Sequence, residues 1–137
     1  MPRLFTAALF VALALPAVAV AGTVEVRLTG AVPGGPVMVQ LCSEAEGLMR
    51  CARTAQVNVS NGTAVARFEN VPAGRWGVAA FQDVNADGRL GFGMMGRPNE
   101  PWGYSRNAPA VMGPPAFRDA AVNVPAAGGV IPVALGL

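Results

Sequence analysis

The most specific chemistry in the chain is offered by one short run. Asp83, Asn85 and Asp87 place oxygen side chains at alternate positions, and Gly88 follows at the sixth. A hard cation such as calcium takes about six to eight oxygens, and a tight turn aims alternate residues at one centre. In a calcium loop of EF-hand type the seventh residue, here Arg89, adds its backbone carbonyl. The ninth and twelfth positions hold Gly91 and Met94, which supply no carboxylate. Glu100 folding back would complete a weak set of Asp83, Asn85, Asp87, Arg89 and Glu100. The same run also reads as a bare turn, because Asx side chains bond their own backbone and Gly88 supplies positive φ.

Other residue groups carry weaker signals. Trp102 and Tyr104, one residue apart, offer a stacking platform for a carbohydrate or peptide, or else close a loop onto the core. Met94 and Met95 with Met112 present thioethers of the kind that suit copper(I), though methionine more often fills packing gaps. Asp83, Asp87 and Glu100 contain the carboxylate pair a glycosidase needs, but nothing in the sequence sets one carboxyl apart from another. Cys42 and Cys51 lack the close spacing of a redox dithiol. In an oxidising compartment they read as a disulfide closing a small loop.

Composition removes whole classes of function. All ten basic residues are arginine, with no lysine and no histidine. That excludes a Ser-His-Asp or Cys-His pair, a His-ligated zinc, Schiff-base chemistry and a P-loop lysine. A formal charge of +2 without a basic run gives no footprint for nucleic acid. The chain is 53% hydrophobic and 13% charged, well below the charge of an average globular chain (about 25%). Seventeen glycines and twelve prolines argue against a helical bundle.

The elements that must position these residues read as strands. Alternation or turn signals mark seven, at residues 23–28, 36–42, 56–60, 63–69, 76–81, 120–124 and 130–134. Asn61 and Gly62 predict a hairpin turn between the third and fourth. The expected fold is all-β: an antiparallel β-sandwich of about seven strands, immunoglobulin-like or prealbumin-like. Residues 83–118 form a long loop without a strand pattern, yet its Phe92, Met94, Met95, Trp102, Tyr104, Met112 and Phe117 are too apolar for a disordered segment. The expectation is a structured flap packed against the sandwich.

Residues 1–21 read as a signal peptide: Arg3, an apolar run over residues 4–15, Pro16, then small residues ending at Ala21. Cleavage falls after Ala21, or alternatively after Ala19. Residues 22–137 then form one β-sandwich domain, periplasmic or secreted, with no membrane span once the leader is removed.

Phe81 and Asp83 lead into the acidic run. Gly96, Pro98, Glu100, Trp102, Gly103 and Ser105 follow, then Asn107, and then Gly113, Pro115, Phe117, Asp119 and Ala120. With Pro72, Gly74 and Trp76 upstream, this order and spacing resembles the exported bacterial family called domain of unknown function 2141. The resemblance implies an exported β-sandwich and no assigned activity. The chain departs from that pattern at Gln82, where histidine is usual, and at Gly91, where an acid is common. Both departures weigh against metal binding by the loop. The expected function is a non-enzymatic binding or structural module of the cell envelope, carrying a weak calcium site and meeting an envelope protein or glycan. The alternatives are a small-molecule or metal carrier and, behind it, a carbohydrate-active enzyme.

Overall fold

The computed structural model describes residues 10–15 and 21–137. The leader expected at residues 1–21 therefore lies outside the described residues, apart from residues 10–15 and Ala21.

Two β-sheets face each other across one apolar layer. In the first, β1 (Ala21–Thr29) lies between β4 (Ala64–Pro72) and β8 (Gly128–Ala134). In the second, β2 (Val37–Ser43) lies between β3 (Arg53–Val57) and β5 (Gly74–Gln82). Two short strands, β6 (Trp102–Tyr104) and β7 (Val122–Val124), share the outer edge of β5. A single helical turn, α1 (Phe117–Ala120), leads into β7.

Alternation decides what enters the core. Val24, Val26 and Leu28 of β1 point inward, as do Val37, Val39 and Leu41 of β2, and all six are fully buried. Each such side chain removed from water contributes about 1.5–3 kcal/mol. A second, smaller cluster covers the outer face of the second sheet. There Cys42, Leu48, Cys51, Ala108 and Ala120 pack with Tyr104 and Phe117. The expected disulfide is present between Cys42 and Cys51, and it anchors the loop that brings Leu48 over Gly77. A Cβ at Gly77 would press on Leu48 and Phe117.

The all-β sandwich with a long structured loop is the fold observed, and its details differ from the sequence reading in four ways. First, β1 and β8 run parallel, with Val26 opposite Ile131. Alternation has the same period in both strand orientations, so it carries no information about direction. Second, Asn61 and Gly62 do make the predicted turn, with φ of 51° and 74° and a Ser60–Thr63 bridge. The flanking strands then part: β3 pairs with β2, and β4 with β1. The turn signal governs four residues, and burial on opposite sheets governs the rest. Third, the third strand lies at Arg53–Val57 rather than 56–60. Fourth, the long loop contains β6, an eighth strand too short to leave a periodic pattern.

The chain beyond β8 crosses from one sheet to the other. Gly136 and Trp102 exchange two backbone hydrogen bonds, each 3.0 Å, which joins the sheets along that side. Gly103 makes this approach possible, since a Cβ there would collide with the Ala134 carbonyl.

Candidate functional site

Phe81 and Gln82 end β5, and the polar turn begins at the next residue. The Asp83 carboxylate is buried, only 4% exposed, and accepts the amides of Asp87 at 3.1 Å and Gly88 at 2.8 Å. Asp87 in turn accepts the Arg89 amide at 2.9 Å. Ala86 and Gly88 adopt left-handed φ of 57° and 79°, which curls the chain around Asp83. Glu100 folds back onto this turn. It is 5% exposed and accepts Asn85 N–H at 3.3 Å and Gly91 N–H at 2.8 Å. Asn85, Asp87 and Arg89 remain exposed. Among the described residues, no three acidic, cysteine or histidine side chains gather closely enough to hold a metal as they stand.

Gln82, the last residue of β5, is fully buried. Its amide accepts Val32 N–H at 2.8 Å and donates to the carbonyls of Val32 at 2.7 Å and Gly35 at 3.0 Å. It is committed to the β1–β2 connection and fixes the end of the sandwich from which the polar turn springs. Sequence reasoning singled it out only as a mismatch.

Trp102 and Tyr104 stand on the same face of β6, because Gly103 between them points toward Ala134. By register they adjoin Phe81 and Ala79 of β5. Both are half-buried, and their rings meet edge to face with centres 5.7 Å apart. Burial pushes the Tyr104 phenol above its ordinary pKa of 10.0, so it stays neutral. The two residues line a shallow, open depression of about 340 Å³ with Asn107, Pro109 and the chain end at Leu137. Arg106 and Asn107 both hold left-handed φ, 59° and 49°. Two successive non-glycine residues in that region are uncommon, and such strain concentrates at binding sites.

Ser105 holds this segment in place, a role that its place in the motif does not announce. β6 covers β5 at Ala79–Phe81 and β7 covers it at Gly74–Trp76, which leaves a gap between them. The buried Ser105 hydroxyl fills that gap, accepting Val78 N–H at 2.9 Å and donating to the Ala120 carbonyl. A lone serine in a loop has no sequence signature that foretells this role.

The expected burial of the loop's apolar side chains holds only in part. Trp102, Tyr104 and Phe117 are half-buried, whereas Phe92, Met94, Met95 and Met112 face solvent. Residues 91–99 form their own small hairpin. Its tip bonds to itself, with Gly96 N–H donating to the Gly93 carbonyl at 3.3 Å, and Phe92, Met94 and Met95 project from it; Met112 lies outside this hairpin.

The geometry defines a class: a two-sheet β-sandwich whose long β5–β7 connection carries a polar turn and an aromatic depression. The family model for an uncharacterised protein conserved in bacteria (DUF2141) matches residues 26–131, and the chain belongs to that family. No curated protein and no solved structure matches it.

Proposed function

We propose that the protein is an exported, non-enzymatic binding module of the bacterial envelope. In this reading the depression at Trp102, Tyr104 and Asn107 takes a glycan. The observation that carries it is the pairing of two half-exposed aromatic rings with an asparagine held in a strained left-handed turn. Sugar rings stack their C–H faces on aromatic side chains, and an amide both donates to and accepts from hydroxyls. A non-enzymatic role is favoured because the buried carboxylates of the loop are occupied by backbone amides rather than facing a cleft. Export rests on the character of residues 1–21. The test is a titration with envelope glycans, read by tryptophan fluorescence in a Trp76→Phe background. Binding lost in Tyr104→Ala and Asn107→Ala supports the reading; unchanged fluorescence with every glycan refutes it.

Calcium at the polar turn is a second reading, favoured by a separate observation. Asp83 and Glu100 are both buried, and neither has an arginine partner among the described residues. Buried charges are ordinarily paired or bound to metal. Each carboxylate oxygen that accepts one N–H retains a lone pair for a cation. Asp83, Asn85, Asp87, the Arg89 carbonyl and Glu100 would supply the oxygens. With calcium at about ten times a dissociation constant of order 10⁻⁴–10⁻³ M, linkage adds about 1.4 kcal/mol. Melting curves in calcium and in chelator should differ by several degrees, and Asp87→Ala should abolish the difference. Identical curves for the wild type leave the run as a turn alone.

A further inference from the structure

Residues 91–99 fold into a small hairpin that projects from the polar turn. Phe92 bridges to Pro98, Gly93 N–H donates to the Arg97 carbonyl at 2.8 Å, and Asn99 N–H donates to the Gly91 carbonyl at 3.0 Å. Its tip is the helical turn Met94–Gly96, where Met95 and Gly96 take left-handed φ of 68° and 70°. This ordered tip displays its largest apolar side chains to solvent: Phe92 is 61% exposed, Met94 93% and Met95 96%. Exposed apolar residues scattered singly need no explanation, but three together on a preorganised protrusion mark an interaction surface.

The geometry points to an anionic lipid bilayer as the partner. Arg89 and Arg97 flank the apolar tip, both exposed, and neither enters an ion pair among the described residues. Asp87 is the only exposed acid over residues 84–99, and its carboxylate already accepts the Arg89 amide. The arrangement is an apolar tip with an exposed cation on either side of it in the chain, a composition that suits acyl chains beneath a layer of phosphates. A stable protein interface needs about 800 Å² from each partner and a complementary shape; three side chains on a narrow tip do not supply that area. A bilayer requires only depth and charge. Met and Phe enter its headgroup boundary readily, and the hairpin's internal bonds spare part of its backbone from desolvation.

The test uses the full chain with a solvent-sensitive fluorophore on Met94→Cys, and a control label on Thr54→Cys of the exposed strand β3. Reading each label separately keeps insertion of the tip distinct from any contact made by the apolar run at residues 4–15. On phosphatidylglycerol-containing vesicles the label at position 94 should shift to the blue and be quenched by lipid-borne quenchers, while the label at position 54 stays aqueous. Replacing Arg89 and Arg97 by glutamine should weaken the partitioning by about fivefold per arginine. Phe92→Ser with Met95→Ser should remove the shift, with the circular dichroism unchanged. An aqueous spectrum at position 94 on all vesicles overturns the proposal. So does a blue shift that follows protein concentration without lipid, which would assign the tip to a second copy of the chain.

Discussion

The guanidinium of Arg53 lies 5.4 Å from the ring centre of Trp76, and its terminal nitrogens donate to the carbonyls of Glu69 and Asn70 at 3.2 and 3.1 Å. Arg53 belongs to the edge strand of one sheet and Glu69 to the edge strand of the other. One side chain thus joins the two sheets on the side opposite the Gly136–Trp102 crossing. Arg53→Lys keeps the charge but loses the planar fork that reaches two carbonyls while lying over a ring. It should destabilise the protein by about 1 kcal/mol, and Arg53→Ala by somewhat more. Urea denaturation of the two variants checks both the direction and the order.

Ser105→Ala should cost more than any exposed substitution. It leaves Val78 N–H and the Ala120 carbonyl buried without a partner, at about 1–3 kcal/mol for an orphaned group. The native volume is nearly retained, so the loss isolates the hydrogen bonds. Thermal melting reads the size of the effect, and hydrogen exchange at Val78 locates it.

Gln82→Ala should loosen the β1–β2 connection in the same way, exposing Val32 N–H to rapid exchange. Gln82→His should recover part of the loss. A neutral imidazole has one donor and one acceptor, enough for Val32 but not for Gly35 as well. Equal exchange at Val32 in the alanine variant and the wild type would rule out the anchoring role.

The disulfide loop carries its own acid sensitivity. The Glu46 carboxylate accepts Ser43 N–H at 2.8 Å, Ala52 N–H at 2.8 Å and the Ser43 hydroxyl at 2.9 Å. The backbone bonds from Ser43 and Ala52 lower its pKa below the ordinary 4.5. A depressed carboxylate stabilises the fold fully above its unfolded pKa, and that stability is lost as pH falls through the folded value. The advantage of wild type over Glu46→Gln should therefore be constant near neutrality and shrink below pH 4.5. Denaturation midpoints of the two proteins across that range measure it.

Opening the loop covalently should be costlier than titrating it. A bridge between residues nine apart restricts the unfolded chain by about 2.5 kcal/mol on the loop-entropy account. Cys42→Ser with Cys51→Ser should lower stability by about that amount, together with the packing lost around Leu48. Denaturation of the double variant checks the value.

What could be read from the chain was governed by how local the causes are. Val24, Val26 and Leu28 announce their inward face because alternation is a property of one strand. Cys42 and Cys51 announce their bond because few residues separate them. Asn61 and Gly62 announce their turn but not its consequence, since the separation of β3 from β4 depends on partners far away in the chain. Trp102 and Tyr104 were visible as an aromatic pair, yet β6 was not visible as a strand: three residues with a glycine in the middle have no period to detect. The sequence offers the return of Glu100 to the polar turn only as the condition for a complete oxygen set, and the two backbone amides that hold it there have no local signature. Ser105 and Gln82 were not anticipated as anchors, because a single polar side chain declares its partners only once the backbone around it is in place.

The parallel pairing of β1 with β8 makes folding a matter of timing. Val26 has Ala66 on one side and Ile131 on the other, so the inner strand of the first sheet is half complete until β8 emerges. A chain made or threaded from its amino end carries an unpaired, valine-rich edge through most of that passage. Its first sheet forms late and through distant contacts, the regime in which folding is slow and exposed edges invite mispairing. Under the export proposed above, that delay would be useful: without β8 the first sheet is incomplete, and the polypeptide would stay threadable until nearly all of it had passed.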